Sequence, residues 1–291
     1  MATLHAWAQR HPLALYFGLA YVITWLLLAP LALHGLGLLT TFSFSPLWHV
    51  LGALGPVTAA FVVTALTQGK MGIINLLSRM GRWRVGRYWL FLSLFSPVVL
   101  LAVSIVIARM VEQTWPDFTK IAAVSGGVGF WLLNAVVISL LYGLGEEPGW
   151  RGFALPHLTE RRNVLSATLI VGVLWACWHA PMFAYRFPFS GNVVQVIGFV
   201  LGVLAGAICL TYLYIGSGGS ILMVIIWHAV WNVVNAVALV ISPVVTAALS
   251  TEVMLLAVLI LLFWRSLYVT HPLLSTQPTD QISSKAAAQL N

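Results

Sequence analysis

The chain has 291 residues, of which 60% are hydrophobic and only 7% are charged, and its formal net charge is +7. A soluble domain carries about 25% charged residues, so 14 basic and 7 acidic side chains cannot cover the surface of a water-soluble protein of this size. This composition excludes a cytosolic enzyme, a secreted domain and a disordered chain, and it predicts a polytopic membrane protein. The excess of positive charge is therefore expected to set membrane topology, and no nucleic-acid partner is expected.

The long apolar segments predict an all-α fold, a polytopic transmembrane bundle of about eight helices. A membrane-crossing helix needs about 20 mostly apolar residues. In chain order, the segments that meet this criterion are 13–33, 48–67, 88–109, 127–147, 165–184, 193–214, 219–241 and 249–268. The first of them is too long for the apolar core of a signal peptide, and no small-residue cleavage pattern follows it. The chain is therefore expected to be an integral, multi-pass protein of a bacterial plasma membrane.

The distribution of Lys and Arg predicts which way the bundle faces. With the N-terminus inside, the inner segments hold Arg10, Lys70, Arg79, Arg82, Arg84, Arg87, Arg151, Arg161, Arg162, Arg265 and Lys285, and the outer segments hold only Arg109, Lys120 and Arg186. Short cytoplasmic loops are enriched in Lys and Arg, so both termini are predicted to be cytoplasmic. Residues 1–270 are predicted to form a single transmembrane catalytic domain, and the polar residues 271–291 a mobile tail.

Two further features have simpler expectations. The first inner loop, 69–88, mixes apolar and basic residues, which is typical of an amphipathic helix on an anionic leaflet but equally of a solvated loop. The two cysteines are too few for a disulfide framework. Cys177 and Cys209 lie in apolar runs, so both are expected to be small core residues.

The first candidate for chemistry lies at the end of the fourth span. Glu146 and Glu147 are adjacent, and neighbouring residues of a helix point in different directions, so the two carboxylates should have different roles. Glu147 and Arg151 are four residues apart with Glu first, the favourable order for an ion pair. Glu146 is then left to face a cavity as a general base or metal ligand, with Glu147 as its support. Pro148 complicates this interpretation because proline kinks a helix.

Two other spans contribute polar side chains. His179 follows a long uncharged run in the fifth span and, alone, is more typical of a packing residue than of a ligand. In the seventh span, His228, Asn232 and Asn235 share one helix face, which predicts that the stripe faces protein or water rather than lipid. By itself it is equally typical of hydrogen bonding between helices.

Taken together, these residues permit two kinds of hydrolytic site. Glu146, His179 and His228 form the ligand set of a catalytic zinc site, with three protein ligands and an open position. Without a metal, a buried Glu beside a His could activate water, with His228 and Asn232 as donors to an oxyanion. Both arrangements could hydrolyse an amide. The His-Glu-x-x-His motif of soluble zinc proteases is absent.

The three stretches resemble the motifs of the CAAX protease and bacteriocin-processing family of intramembrane proteases, also called the Abi family, which includes the type II CAAX prenyl endopeptidases. The motif Glu-Glu-x-x-x-Arg corresponds to Glu146, Glu147 and Arg151. An aromatic residue four positions before a His corresponds to Trp175 and His179, and His-x-x-x-Asn to His228 and Asn232. The resemblance covers about residues 140–235. The family usually has Phe at the position of Trp175, which is expected to pack.

The resemblance implies a helical bundle around a polar cavity that opens toward the cytoplasm, and an endopeptidase acting on a membrane-associated protein or peptide. It also implies that Glu146 and His179 position and activate water, while His228 and Asn232 stabilise the oxyanion or complete a Zn²⁺ site. For Glu146 and His179 both to lie near mid-bilayer, the fourth span must continue to about Leu155. Membrane lipids are the other expected partners.

Two alternatives to a protease remain. A non-catalytic immunity or binding protein would keep the cavity without the chemistry, although every motif position is filled here. A transporter would need ionisable groups along a path through both leaflets. Transport is disfavoured because the interiors of the other spans contain no obvious acidic residue.

Overall fold

The computed structural model describes residues 2–41, 44–124, 126–186 and 192–268, and regular structure in these residues is helical throughout. A 3₁₀ segment, Pro46–Ala53, precedes α3, and a second one, Ala180–Ala184, follows α8. The α-helices are α1 Ala2–Arg10, α2 Pro12–Gly35, α3 Leu54–Met80, α4 Arg87–Glu112, α5 Thr119–Ala122, α6 Gly127–Gly149, α7 Leu155–Thr159, α8 Val164–Trp178, α9 Val193–Gly216, α10 Ile221–Ile241 and α11 Pro243–Tyr268. The predicted mobile tail, 271–291, lies outside the described residues.

Eight segments of the described chain are long and apolar enough to cross a membrane, as predicted. The eighth begins at Pro243, before the predicted start at residue 249. The hydroxyl of Ser242 accepts a hydrogen bond from the amide of Val244 at 3.0 Å, so Ser242 caps the helix and proline occupies its first turn.

The fourth span continues past Glu146, as expected. After α6 ends at Gly149, Trp150–Ala154 form a single π-helical turn that leads directly into α7. Pro148 is accommodated inside α6 without ending the helix. A π-helical turn widens the helix locally and is frequent at functional sites. It lies here immediately after the two adjacent glutamates and contains Arg151.

The segment 69–88 begins with a break at Gly69, whose φ of 63° and ψ of −155° interrupt α3. The helix then resumes to Met80 with exposed Met71, Ile74 and Leu77 and buried Leu76. Glycine allows this backbone conformation without steric cost. Of the two expectations for this loop, the amphipathic helix is the one that the structure shows.

The basic loops meet at one end of the bundle, which we call the basic end; it comprises residues 79–89, 152–163 and 214–220. Arg79 donates from Nη2 to the carbonyl oxygen of Gly152 at 2.9 Å and from Nη1 to the hydroxyl of Tyr214 at 2.8 Å. Ser220 donates to the carbonyl oxygen of Arg82 at 2.6 Å. These bonds bring the ends of four different helices to one level.

The other helix ends form what we call the opposite end, comprising the described residues 35–41, 44–53, 112–124, 126, 179–186 and 241–243. There, His49 and Tyr185 form a hydrogen bond, and a Cβ placed on Gly35 would clash with the carbonyl oxygen of Ala184. The bundle is thus defined by two chemically different ends. Which of them faces the cytoplasm, and with it the location of the termini, stays a prediction.

The packing of the helices surrounds the candidate residues with several elements. Helix α6 packs against α3 and α10, α8 against α9, and α2 against α3 and the segment 180–184. Buried aromatic and aliphatic side chains, including Trp150, Trp178 and Ile221, fill the space between them. Cys209 is buried as predicted, whereas Cys177 is exposed, contrary to the prediction. A lipid-facing helix surface is as apolar as a core, so hydropathy could not distinguish the two positions.

Candidate active site

A fully buried charge cluster joins α6, its π-helical turn and α10. Arg151 donates from Nη1 to both carboxylate oxygens of Glu147 at 3.1 Å, and neither side chain has any exposed surface. The other partner of Glu147 is His228, whose Nδ1 lies 2.7 Å from Oε1. The predicted ion pair is therefore present, but the sequence analysis missed its third member. A carboxylate on one span and a histidine three spans later give no local spacing signal.

Glu146 is held separately from this cluster, by α8. Its Oε2 accepts a hydrogen bond from the indole Nε1 of Trp175 at 2.7 Å. Glu146 itself is 4% exposed. The two adjacent carboxylates therefore have different partners, as their directions on a helix predicted. The expectation that Trp175 only packs is incomplete, because its indole is also a hydrogen-bond donor to Glu146.

The indole of Trp175 is also in contact with the other candidate side chains. The guanidinium carbon of Arg151 lies 4.6 Å from the ring centroid. The rings of His228 and His179 have centroids 5.7 Å and 5.9 Å from that of Trp175. One aromatic side chain thus touches a carboxylate, a guanidinium and two imidazoles. It brings the three sequence motifs together in space.

His179 follows the last residue of α8 and is half-buried. Its Nδ1 lies 2.7 Å from the carbonyl oxygen of Trp175. A carbonyl oxygen can only accept a hydrogen bond, so Nδ1 carries the proton and the neutral ring presents Nε2 as a lone pair. Phe199 packs edge-on against the same ring at 5.2 Å. The imidazole is therefore oriented, with its basic nitrogen left for a reactant.

The polar stripe of α10 is present, with its members in different environments. His228 is 6% exposed, whereas Asn232 and Asn235, farther along the helix, are half-buried. Asn235 donates from Nδ2 to the carbonyl oxygen of Trp231 in its own helix at 2.8 Å. Asn232 thus lies one turn beyond the buried histidine and is more exposed than it. The roles predicted for these residues stay predictions.

The predicted zinc ligands are not assembled as a three-ligand group. Within the described ranges, no cluster of three or more His, Cys, Asp or Glu side chains could hold a metal ion. His228 is paired with Glu147 and not with Glu146, which is instead bonded to Trp175. In this arrangement the side chains do not fit a preformed zinc centre, and a zinc requirement stays a prediction.

Sequence analysis also missed a histidine near the site. His49, at 6% exposure, is hydrogen-bonded to Tyr185, and its ring centroid lies 5.6 Å from that of Tyr142. Tyr142 lies one helical turn before Glu146 on α6, which places His49 near the site. It lies in the 3₁₀ segment before α3, outside the three motifs. No sequence pattern marked it.

One premise of the sequence analysis is wrong. Glu252 lies inside the eighth span, where no acidic residue was noted. Its Oε1 accepts a hydrogen bond from the hydroxyl of Ser104 on α4 at 3.0 Å. The argument against transport therefore loses one of its supports, although Glu252 lies on a helix that packs against α4 and α9 rather than on an element of the site.

Fold and site together define an integral, multi-pass, α-helical membrane protein with an ionisable centre between its helices. Two comparisons with known proteins bear on its family. Residues 128–234, which include Glu146, Glu147, Arg151, His179, His228 and Asn232, match the family model of the type II CAAX prenyl endopeptidases, Rce1-like. The chain is also 29% identical over 145 residues to CAAX prenyl protease 2 of Methanococcus maripaludis, covering 47% of this chain and 54% of that protein.

These comparisons confirm the resemblance to the CAAX protease family that the three motifs indicated. The chain spans about half the length of the curated relative that it matches. The matched region contains α6, α8 and α10, the helices that supply the glutamates and histidines of the motifs.

Proposed function

We propose that the chain is an intramembrane endopeptidase that hydrolyses a peptide bond in a membrane-associated protein or peptide. One observation supports this most: Trp175 contacts Glu146, His179 and His228 together, so a carboxylate and two imidazoles from three spans surround one aromatic ring. Ionisable residues inside a membrane are costly and are functional by default. A packing role alone gives no reason to gather them here.

In this mechanism, Glu146 and His179 activate the attacking water. The carboxylate of Glu146, or Nε2 of His179, takes a proton from water as its oxygen attacks the scissile carbonyl carbon. The same proton then passes to the leaving amine, which keeps the reaction balanced. A correctly placed general base contributes about 10²–10⁴-fold in rate. The proton on Nδ1 of His179 fixes which nitrogen can act.

His228 and Asn232 stabilise the negative charge that develops on the carbonyl oxygen. Glu147 holds Nδ1 of His228 at 2.7 Å, so Nε2 is the nitrogen left to donate when the ring is protonated. The Asn232 amide supplies a second donor. Glu147 itself is occupied by Arg151 and His228, which makes it a positioning residue rather than the base.

Replacement of Glu146 tests the proposal. Glu146→Gln keeps an acceptor for the indole of Trp175 but cannot take a proton, so peptide cleavage should fall to background while the melting temperature in detergent stays within a few degrees. Glu112→Gln, at the last residue of α4 and away from the site, is a matched control that should keep full cleavage. Cleavage by Glu146→Gln at the wild-type rate would falsify the assignment of this site.

The metal content of the same preparations separates the two hydrolytic mechanisms. Mass spectrometry is applied to wild-type protein purified without added metal and to the His179→Ala/His228→Ala double variant. About one zinc per chain in the wild type, the stoichiometry of a single catalytic site, and none in the double variant would establish a metalloprotease. A metal-free wild type that still cleaves would assign the base to Glu146. A protein without cleavage in either metal state would favour the immunity or binding alternative.

A further inference from the structure

The second part of α3 lies across the basic end of the bundle. Before the break at Gly69, the side chain of Gln68 donates from Nε2 to Nε2 of His157 at 3.3 Å. His157 comes five residues after Gly152 in the same helical segment. A straight continuation of α3 would carry Arg79 about 16 Å beyond Gln68. Instead, Arg79 contacts Gly152 itself, with Nη2 2.9 Å from the carbonyl oxygen. The chain therefore turns at Gly69, and residues 70–80, which we call the interfacial helix, cross the ends of the spans at the level of a membrane surface.

The interfacial helix has one packed face and one exposed apolar face. Leu76 is 1% exposed and packs against the π-helical turn. Met71, Ile74 and Leu77, at a spacing of three residues, lie on the other side and are 73%, 46% and 50% exposed. An apolar face on a helix that lies along the end of a bundle is typical of a helix partly immersed in the headgroup region of a bilayer. Trp83, which follows the helix, is also exposed, and tryptophan is enriched at this level of a membrane.

The positive charges around this helix have no counterions within the protein. The Lys and Arg of the interfacial helix and the basic end are Lys70, Arg79, Arg82, Arg84, Arg87, Arg161 and Arg162, and the acidic residue among them is Glu160. The sequence has no acidic residue before Glu112. In the part of the chain that the structure describes, both ion pairs belong to Glu147, so none of these cations is paired. A surface that combines unpaired cations with exposed apolar side chains is complementary to an anionic phospholipid leaflet.

The interfacial helix is also connected to the candidate site. The carbonyl oxygen of Gly152 that accepts from Arg79 belongs to the π-helical turn and directly follows Arg151 in the chain. Arg151 is in turn paired with Glu147. Arg79 is held in place by a second bond, from Nη1 to the hydroxyl of Tyr214 near the end of α9 at 2.8 Å. A displacement of the helix therefore strains the turn that positions the buried ion pair.

We propose that the interfacial helix docks on an anionic phospholipid leaflet and that this docking holds the π-helical turn in place, so that cleavage depends on anionic lipid. Met71, Ile74 and Leu77 lie among the upper parts of the acyl chains. Arg84 and Arg87, both exposed in the residues that follow the helix, bind lipid phosphates. The dependence of cleavage on lipid rests on the proposed function, whereas the docking itself does not.

Lipid composition tests the inference in nanodiscs, where both membrane surfaces are accessible. The protein is reconstituted in phosphatidylcholine alone and in phosphatidylcholine mixed with phosphatidylglycerol. Hydrogen exchange of the amides of residues 70–80 and kcat for peptide cleavage are then measured. Arg84→Gln/Arg87→Gln removes two cations beside the helix, and the control Arg109→Gln/Lys120→Gln removes two from α4 and α5. We expect phosphatidylglycerol to slow exchange and raise kcat severalfold in the wild type and the control, and to change neither in Arg84→Gln/Arg87→Gln.

The other outcomes are distinguishable. Equal exchange of the wild type in both lipids would overturn the docking. Slower exchange with an unchanged kcat would retain the docking and overturn its connection to the site. Protection that appears only in nanodiscs with two copies of the chain, whatever their lipid, would assign the apolar face to a second copy. Absence of cleavage in every lipid, with exchange still slowed by phosphatidylglycerol, would overturn the proposed function and leave the docking intact.

Discussion

The candidate active site consists of an inner group, Glu147, Arg151 and His228, and an outer group, His179 and Asn232. The two groups differ in burial and in hydrogen-bond partners. Glu147 and Arg151 have no exposed surface and are paired with each other, and His228 is bonded to the same carboxylate. His179 and Asn232 are half-buried and lie outside that cluster. The comparison teaches that the inner group has its partners within the protein, whereas the outer group keeps some exposed surface, as the proposed function requires of residues that meet a substrate. Glu146, bonded to Trp175, lies between them.

The physical reason for the inner group is the cost of burying charge. An isolated ionised group in a medium of low dielectric constant is strongly unfavourable, and a partner offsets that cost only when the geometry is good. Glu147 meets this requirement with Arg151 and His228. Because three elements share one carboxylate, the cluster also fixes how α10 sits against α6.

The largest expected effect is the loss of the inner carboxylate charge. Glu147→Gln leaves Arg151 buried without a counterion, and breaking a buried pair costs about 3–5 kcal/mol. We expect a clear fall in the melting temperature in detergent. Lys70→Gln removes an exposed charge and should leave the melting temperature unchanged. Equal melting of Glu147→Gln and wild type would mean that the cluster contributes no stability and that the proposed difference between the two groups is wrong.

The next effect concerns the outer group. Asn232→Ala should reduce turnover by about 10²–10³-fold, the typical loss for one oxyanion donor, with little change in melting because the side chain is half-buried. Measurement of kcat and KM separates the roles: a fall in kcat supports transition-state stabilisation, and a rise in KM alone would reassign Asn232 to substrate positioning. Asn235→Ala is the matched control on the same helix, since Asn235 bonds to its own backbone.

The sequence predicted the helices and the ion pair between Glu147 and Arg151 because their signals are local. Hydropathy depends on about 20 neighbouring residues, and the pairing of Glu147 with Arg151 depends on a spacing of four. The bond from Glu147 to His228 could not be predicted, because it depends on how α6 and α10 pack. His49 was missed for the same reason.

Trp175 links the inner and outer groups, and its replacement should have an intermediate effect. Trp175→Phe introduces the aromatic residue that the CAAX protease family, which this chain resembles, usually has at this position, but removes the 2.7 Å hydrogen bond to Glu146. Hydrogen bonds to charged groups contribute about 1.5–3 kcal/mol, so kcat should fall at least tenfold if Glu146 is the base and is misplaced without the indole.

A second tryptophan provides the matched control for this variant. Trp227 is also buried and donates from Nε1 to the hydroxyl of Ser96 at 2.9 Å. Trp227→Phe therefore loses a comparable bond that does not reach Glu146. We expect similar melting temperatures for the two variants and a reduced kcat only for Trp175→Phe. Equal kcat values would make the indole of Trp175 a packing group, as the sequence analysis expected.

The smallest effect is expected at Glu252, which belongs to neither group. Glu252 lies on α11, outside the three helices of the site, and its Oε1 is 3.0 Å from the hydroxyl of Ser104. Glu252→Gln keeps an acceptor for that hydroxyl. A protease that uses Glu146 should retain its turnover within about twofold, which is under 0.5 kcal/mol. A proton-coupled transporter would instead need ionisable groups along a path, so loss of the carboxyl group would matter. Proton uptake is measured in proteoliposomes that contain the wild type or Glu252→Gln. Uptake by the wild type alone, with equal peptide cleavage by both proteins, would assign a second activity to α4 and α11. No uptake by either protein would leave Glu252 as a hydrogen-bonded link between two helices.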